Sequence, residues 1–423
     1  MGWVIEALLP ARMGPSFRRL VVSEWVSNLG DGIGLAAGPL LVASQTRDPA
    51  LVALAALLQR LPWLLFGLWA GVLADRVDRR ALAVAVGLAR GAVLAVLTVA
   101  VAAGRANIGV VLAAMFVLGV AEVFADTALG TLLPMVVAKA DLGVGNARLM
   151  AGFLTMNQLV GPAVGASLFA VGMAWPFLTQ GLCVAFGAVI LVRMAVTPLD
   201  RPAERSRVWR DLAEGFRWTW QSPPVRTLTL TIVTFNVTFG AAWSVLVLYA
   251  TDRLGLGAVG FGLLSTAMAA GGIAGTASYD WLERHVRLGD IMRVGLVIET
   301  LTHLGFALTT TPWVALAIMV VFGAHAFIWG TTSRTVRMRA VPVDLQGRVG
   351  SLYAIGVFGG ILVGQAIGGG VARVWGVTGP FWFAFVGSAV ILALIWRELV
   401  HIAHDDDVDG VADPAPDADR MGP

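Results

Sequence analysis

Three carboxylates stand inside apolar runs, where only a chemical role or a well-placed partner keeps such groups. Asp31 follows Ser27, Asn28 and Gly30 and precedes Gly32 and Gly34, while Glu122 and Asp126 stand four residues apart. On a helix that spacing puts both acids on one face. Ionisable side chains within a bilayer are costly, which makes them candidates for function by default. Enclosed carboxylates, and neighbouring ones above all, can exchange protons at working pH or recognise a cation. Each also has a structural reading, as a group bonded within a helical bundle or paired with Arg60, Arg90 or Arg76; for Asp126 the structural reading leads. Glu299 and His303, again four apart, form either a secondary proton site or a mutually satisfied couple, the second being the plainer reading. His325 reads as a packed histidine. Phe235, Phe239 and Trp243 recur every four residues with Asn236 beside them. As a cavity face they would take up flat or lipophilic cations through stacking; as an ordinary stripe they would meet lipid or neighbouring helices.

The elements that position these residues are membrane helices. Of 423 residues 57% are hydrophobic and only 13% charged, with mean hydropathy +0.79. A globular protein carries about 25% charged residues, so the chain reads as polytopic with little left for a soluble domain. A bilayer core of ~30 Å takes about 20 apolar residues per helix. Apolar runs occupy approximately 19–45, 50–74, 81–103, 107–137, 147–171, 174–196, 225–250, 258–280, 290–310, 312–341, 347–372 and 379–400. If the N-terminus is cytoplasmic, most arginines fall in cytoplasmic loops, and Arg47, Arg105, Arg253 and Arg373 fall on the other side. That asymmetry follows the positive-inside rule and puts both termini in the cytoplasm. Trp3 to Leu9 is interrupted by Glu6 and lacks a basic flank and cleavage site, so it is no signal peptide. The single cysteine, Cys183, reads as packing.

The expected organisation is a cytoplasmic segment 1–18, a six-helix half 19–196, a cytoplasmic linker 197–224, a second half 225–400 and a disordered acidic tail 401–423. In the linker Trp209, Leu212, Ala213, Phe216 and Trp220 oppose Arg210, Asp211, Glu214, Arg217 and Gln221, the pattern of an interfacial amphipathic helix. The halves echo each other. Gly161 and Gly165 recur as Gly364 and Gly368, and Gly119 as Gly323. Such parallel self-similarity marks one transporter architecture, and paired small residues mark close helix crossings. Trp175, Trp313 and Trp375 read as interfacial anchors at outer span ends.

The second connection reads Gly71-Val72-Leu73-Ala74-Asp75-Arg76-Val77-Asp78-Arg79-Arg80. It resembles the signature loop of the major facilitator superfamily, with Asp78 in place of that motif's second glycine; Asp is expected there because it tolerates left-handed turns. Glu122, Asp126, Leu133, Pro134, Asn146, Ala147, Arg148, Leu149, Asn157, Gln158, Gly161, Pro162 and Gly165 are similar to a bacterial group of enterobactin-exporter-like and macrolide- or multidrug-efflux-like proteins. Residues 213–217 and 346–349 agree with it, so the resemblance runs from about residue 19 to 400. It implies an all-α membrane protein with twelve transmembrane helices in two pseudo-symmetric six-helix halves. It implies Gly71, Asp75, Arg76, Arg79 and Arg80 as a gating loop. Gly161, Pro162 and Gly165 resemble an antiporter motif whose last glycine is here Ala166. Asn157 and Gln158 are added as cavity candidates.

Several matches fail on context. Gly255, Gly257 and Gly260 spell a dinucleotide fingerprint with no strand before them, and the sole lysine, Lys139, follows Ala138 rather than a Walker glycine. No convergent nucleophile, base and metal cluster suggests an enzyme; no metal, nucleotide or nucleic-acid partner is expected. The expected function is therefore a monomeric secondary transporter of the bacterial plasma (inner) membrane, using an ion gradient, with protons as the ion. By resemblance it exports a small amphipathic compound such as a drug, macrolide or siderophore. A proton-coupled importer or facilitator of a polar nutrient is the alternative, with Asn28, Gln59, Asn157, Gln158, Gln180, Asn236 and Gln365 as hydrogen-bonding groups.

Overall fold

The computed structural model describes residues 10–196, 208–343 and 345–401. Half of the expected N-terminal segment, the start of the linker and almost all of the acidic tail lie outside the described residues. The first six long helices are α1 (Gly14–Gln45), α2 (Pro49–Arg76), α3 (Arg79–Ala102), α4 (Ile108–Gly130), α5 (142–171) and α6 (Trp175–Val192). An amphipathic α7 (Val208–Gln221) leads into α8 (Pro223–Trp243), α9 (Ala258–His285), α10 (Leu288–Leu308), α11 (Pro312–Ala340), α12 (Gln346–Trp375) and α13 (Gly379–Ile395). Among the described residues eleven helical stretches are long and apolar enough to cross a membrane. α13 makes the twelfth: its 17 residues at 1.5 Å each span about 26 Å, close to a hydrocarbon core.

Capping residues set the starts. Asp48 accepts from the Ala50 amide at 2.9 Å with Pro49 as the first helical residue, and Asn107 accepts from Val110 at 3.0 Å. Asp78 departs from the turn expected of it. Its φ is −61°, not left-handed, and its side chain accepts from the Ala81 amide at 2.9 Å. The position is the N-cap of α3, where Asp is favoured over Gly because its carboxylate satisfies an orphan amide. Only Val77 and Asp78 separate α2 from α3.

Within α5, a π-helical stretch Phe153–Val160 joins the α-helical segments Leu142–Gly152 and Gly161–Val171. Pro162 supplies a reason, because it has no amide hydrogen for the turn before it. The Leu159 carbonyl in this stretch also accepts from Thr266 Oγ1 of α9 at 3.1 Å.

The repeated glycines mark equivalent crossings. A Cβ on Gly161 would stand 2.5 Å from the Gly32 Cα, and one on Gly364 would strike the α8 backbone at Val237 and Ala241. Thus α5 lies backbone-to-backbone on α1, and α12 on α8. Gly119 likewise seats α4 on α2 at Gln59, and Gly323 seats α11 on α9 at Met268. The halves meet along two seams, α2 with α12, where Gly369 abuts Ala50 and Ala53, and α5 with α9, where Gly262 abuts Pro162 and Ala166.

The halves close together at one end and part at the other. At the closed end an apolar plug joins Ala36, Leu40, Leu41 and Phe177 of the first half to Leu246, Tyr249, Phe261, Phe306 and Phe381 of the second. Two ion pairs cross the same end, Arg47–Asp252 at 2.9 Å and Asp48–Arg373 at 3.9 Å. Trp175, Trp313 and Trp375 are exposed there, where an interfacial belt would hold them. The opposite end carries the α2–α3 connection and the linker. Here Arg348 of α12 pairs with Glu214 at 3.0 Å and Asp211 at 3.5 Å, and Gly215 fits α7 against the Arg348 backbone. The two linker-related stretches singled out by sequence, 213–217 and 346–349, are therefore one contact. Phe216 and Trp220 stack at 5.7 Å on the exposed side of α7.

Candidate functional site

A cavity of about 650 Å3 enters from the end bearing the α2–α3 connection and runs inward between the halves. Its charge comes almost wholly from the first half. Glu24 and Asp31 of α1 and Glu122 and Asp126 of α4 line it, with Arg60 of α2 and Arg90 of α3; the second half adds Arg334. Four carboxylates thus share the space with three guanidinium groups. Asp31 and Arg90 form a direct ion pair, and Arg90 is only 4% exposed. Glu122 and Asp126 also act on Arg90, while Glu122 feels Arg60 as well. The charges acting on Asp126 are Glu122, Asp31, Arg90 and Glu24, so its setting is the cavity, and of the arginines expected as partners it is Arg90 that acts on it.

Sequence reasoning missed Glu24. It stands two turns before Asp31, and Asn28, one turn on, donates to the Glu24 carboxylate at 3.4 Å and to its carbonyl at 2.9 Å. The spacing Glu24, Asn28, Asp31 was the available signal, since i, i+4 and i+7 share a helical face. Glycines 30 and 34 on α1 let α6 approach, Gly34 leaving room for the Gln180 side chain, which also lines the cavity.

Asn157 and Gln158 line the cavity from the π-helical stretch and bond each other at 2.6 Å. Trp63 of α2 and Phe358 of α12 stack across the seam at 5.5 Å and 6°, giving the wall a flat aromatic element. The aromatic run of α8 is elsewhere. Phe239 and Trp243 pack on Phe322, and Trp243 also on Phe306 and Phe381, inside the second half. Phe235 is buried against Leu228, Met292 and Trp329, and Asn236 donates to its own Ile232 carbonyl at 2.7 Å. None of these four lines the cavity: the aromatic face turns toward α10, α11 and α13, and Asn236 lies against Gly360 of α12.

The second polar cluster also differs from the expected pairing. Glu299 reaches His325 of α11 at 3.4 Å, so the partner is not His303. His303 is fully buried, and neither of its ring nitrogens has a hydrogen-bond partner among the described residues. Its ring stands edge-on to Trp243 at 5.8 Å.

At the α2–α3 connection, Gly71 lies within α2 with open space where a Cβ would be, and Asp75 and Arg76 fall in the last turn. Arg79 donates to the Ala74 carbonyl at 3.1 Å, and Arg80 to the Met194 carbonyl at 2.7 Å, tying α3 to α2 and to the end of α6. Gly161 and Gly165 face α1, whereas Pro162 and Ala166 face α9. The antiporter-like motif therefore sits where α5 touches both halves.

A helical pair of six-helix halves around an off-centre charged cavity is a transporter's geometry, and comparison with known families decides which. A family model described as transmembrane secretion effector matches residues 6–416. The chain belongs to this family. Members of the transmembrane secretion effector family are major facilitator transporters and not enzymes, and the protein is accordingly a multi-pass secondary transporter of small molecules. The chain is 28% identical over 367 residues to the multidrug efflux pump Tap of Mycolicibacterium fortuitum, covering 82% of this chain and 87% of the relative. It is 24% identical over 423 residues to the enterobactin exporter EntS of Escherichia coli K12, covering 95% and 96%. In fold it is similar to a bacterial homologue of the iron transporter ferroportin in an inward-facing state, with TM-score 0.70, 15% identity and coverage of 92% and 98%. It is also similar to the nucleoside transporter NupG, with TM-score 0.74, 11% identity and coverage of 92% and 100%.

Proposed function

We propose that the protein exports a small amphipathic compound, such as a drug, macrolide or siderophore, in exchange for protons by alternating access in a bacterial inner membrane. The observation that carries this reading is the cavity's surplus of carboxylates over guanidinium groups. In a low-dielectric space an uncompensated carboxylate is costly, and either a proton or a cationic portion of a substrate relieves it. The two ligands then compete for the same acids, which is the requirement for exchange. Asp31, Glu122 and Asp126, with Glu24, hold the exchangeable charge, and Arg90 orients Asp31. The stacked Trp63 and Phe358 suit a flat apolar portion. Kinship with Tap and EntS supports export. The arginine-rich loops support an orientation in which the cavity mouth and both termini are cytoplasmic; the protein works as a monomer, with the 19–196 and 225–400 halves rocking about the two seams. The loop around Gly71, Asp75, Arg76, Arg79 and Arg80 then lies at the mouth and gates it.

The test uses inside-out membrane vesicles with an acid interior, to which lipophilic cations, macrolides and siderophores are added while the pH gradient is followed. Compound-driven proton release that is lost in Glu122→Gln, with the protein still inserted, is the expected result. If no compound dissipates the gradient and intact cells accumulate labelled sugars or amino acids instead, the protein is an importer.

A further inference from the structure

We propose that Glu299, His303 and His325 form a second proton-binding site, inside the second half and separate from the acid-lined cavity. None of the three lines that cavity, so the site goes beyond the exchange reading above and does not depend on it. The geometry begins with Gly295 of α10, one turn before Glu299. A Cβ there would stand 2.8 Å from His325 Nδ1, so the missing side chain lets the α11 imidazole approach α10. That approach brings His325 Nε2 to 3.4 Å from the Glu299 carboxylate, with 3% and 12% of the two side chains exposed. His303 stands one turn further along the same face and is the electrostatic neighbour of His325.

The hydrogen-bond ledger of this cluster is incomplete. Both ring nitrogens of His303 and the Nδ1 of His325 are buried without a partner among the described residues. Native proteins satisfy nearly all such groups, and an exception asks for a ligand or a chemical role. A neutral imidazole always has one bare basic nitrogen, so two imidazoles here offer two proton acceptors beside one carboxylate. A bound proton on His325 is stabilised by Glu299 at hydrogen-bond distance. The aromatic rings of Trp243 and Phe322 pack edge-on or T-shaped against His303 and His325. A metal ion is a poorer occupant: among the described residues no three His, Cys, Asp or Glu are disposed to share one.

Other charge is distant from the cluster. α13 carries no ionisable residue along Gly379–Ile395, and those of α8 and α9 lie near their ends toward the cavity mouth, as Arg226, Tyr279, Asp280, Glu283, Arg284 and His285. On α10 the others are Asp290 and Arg293, and on α11 they are Arg334, Arg337 and Arg339, all toward that same end. Tyr249 is the exception, on the plug side; its hydroxyl donates to the Phe306 carbonyl at 2.7 Å. The site's titration is thus governed by its own three members.

The chain has five histidines, few enough for 15N-histidine NMR on the full-length protein in nanodiscs, with His303→Gln and His325→Gln used to assign the two buried rings. The expected result is that the cluster takes up one proton between about pH 5 and 9, seen as a change of protonation at the His325 ring beside Glu299 while the His303 ring stays neutral, and that Glu299→Gln moves the pH of that change by about one unit, tenfold in proton affinity. Glu122→Gln, in the cavity, leaves it in place. Two rings that keep one tautomer across the range, unaltered by Glu299→Gln in protein that elutes and melts as the wild type does, would overturn the proposal and leave a packed histidine pair. Because no transported compound enters the measurement, failure of the export reading and failure of this one are separately visible.

Discussion

At the residue scale, the cavity acids differ in what they support. Arg90 is buried and forms its ion pair with Asp31, so Asp31→Asn leaves a buried guanidinium short of its counter-charge. Loss of one partner of a buried pair costs about 3–5 kcal/mol. Asp31→Asn is therefore expected to lower the melting temperature as well as abolish compound-driven proton flux. Glu122 lies among Asp31, Arg90 and Arg60 with no direct bond among the described residues, so Glu122→Gln is expected to keep the melting temperature within a few degrees while losing the flux. Thermal unfolding in detergent beside vesicle flux separates the two. The acids at 31, 122 and 126 were legible because charge stands out in apolar runs. Glu24 was not, since it follows Arg18 and Arg19 at the edge of the first run and passes for an interfacial residue. The Glu299–His325 bond joins two helices, and spacing along one chain reveals only partners on the same helix, which is why His303 looked like the partner. For the same reason Phe239 and Trp243 could be given a shared face but not the neighbours it meets.

At the scale of elements, the crossing glycines make a sharper prediction than Gly71 near the end of α2. Gly161→Ala places a methyl group against the Gly32 backbone, which cannot yield as a side chain can. Overpacking of this kind costs about 1–3 kcal/mol, and thermal unfolding of the detergent-solubilised protein is expected to show it. Gly71→Ala meets open space and is expected to leave stability unchanged, so any transport defect in it reports a conformation other than this one. The glycine echo between halves was readable because backbone contact tolerates only one residue type. Asp78 was misread as a turn residue because Asp serves both left-handed turns and N-caps, and only the backbone angle distinguishes them. The linker helix is held by Arg348 through Asp211 and Glu214, all about one-third to one-half exposed. Each exposed pair is worth about 0.2–1 kcal/mol. Arg348→Ala is expected to raise hydrogen exchange in residues 208–221 without altering exchange in α8, which mass spectrometry would read.

At the scale of the whole molecule, the closed end is held by an apolar plug and by two exposed ion pairs, Arg47–Asp252 and Asp48–Arg373. Removing both with Arg47→Ala and Arg373→Ala takes away at most about 2 kcal/mol. The expected outcome is a shift of up to roughly thirtyfold toward the state open at that end, visible as new long distances between spin labels placed there on a Cys183-free background. An unchanged distance distribution would assign closure to the plug alone. The two-half architecture could be read from composition, the signature loop and the glycine echo. Which end is open could not, because sequence constrains both states at once.

The π-helical stretch of α5 has a consequence for how the cavity wall could change. Bonding from i to i+5 winds one residue more into each ring than the α-helical i to i+4. Conversion of Phe153–Val160 to α-helical winding would turn Leu142–Gly152 against Gly161–Val171 by one residue's angle, about 100°. Accessibility of a cysteine at position 158 to thiol reagents, compared with and without a proton gradient, tests whether the turn occurs; constant labelling would exclude it. The helix would then act as a rotary valve, swinging its amides out of the passage as one segment turns on the other.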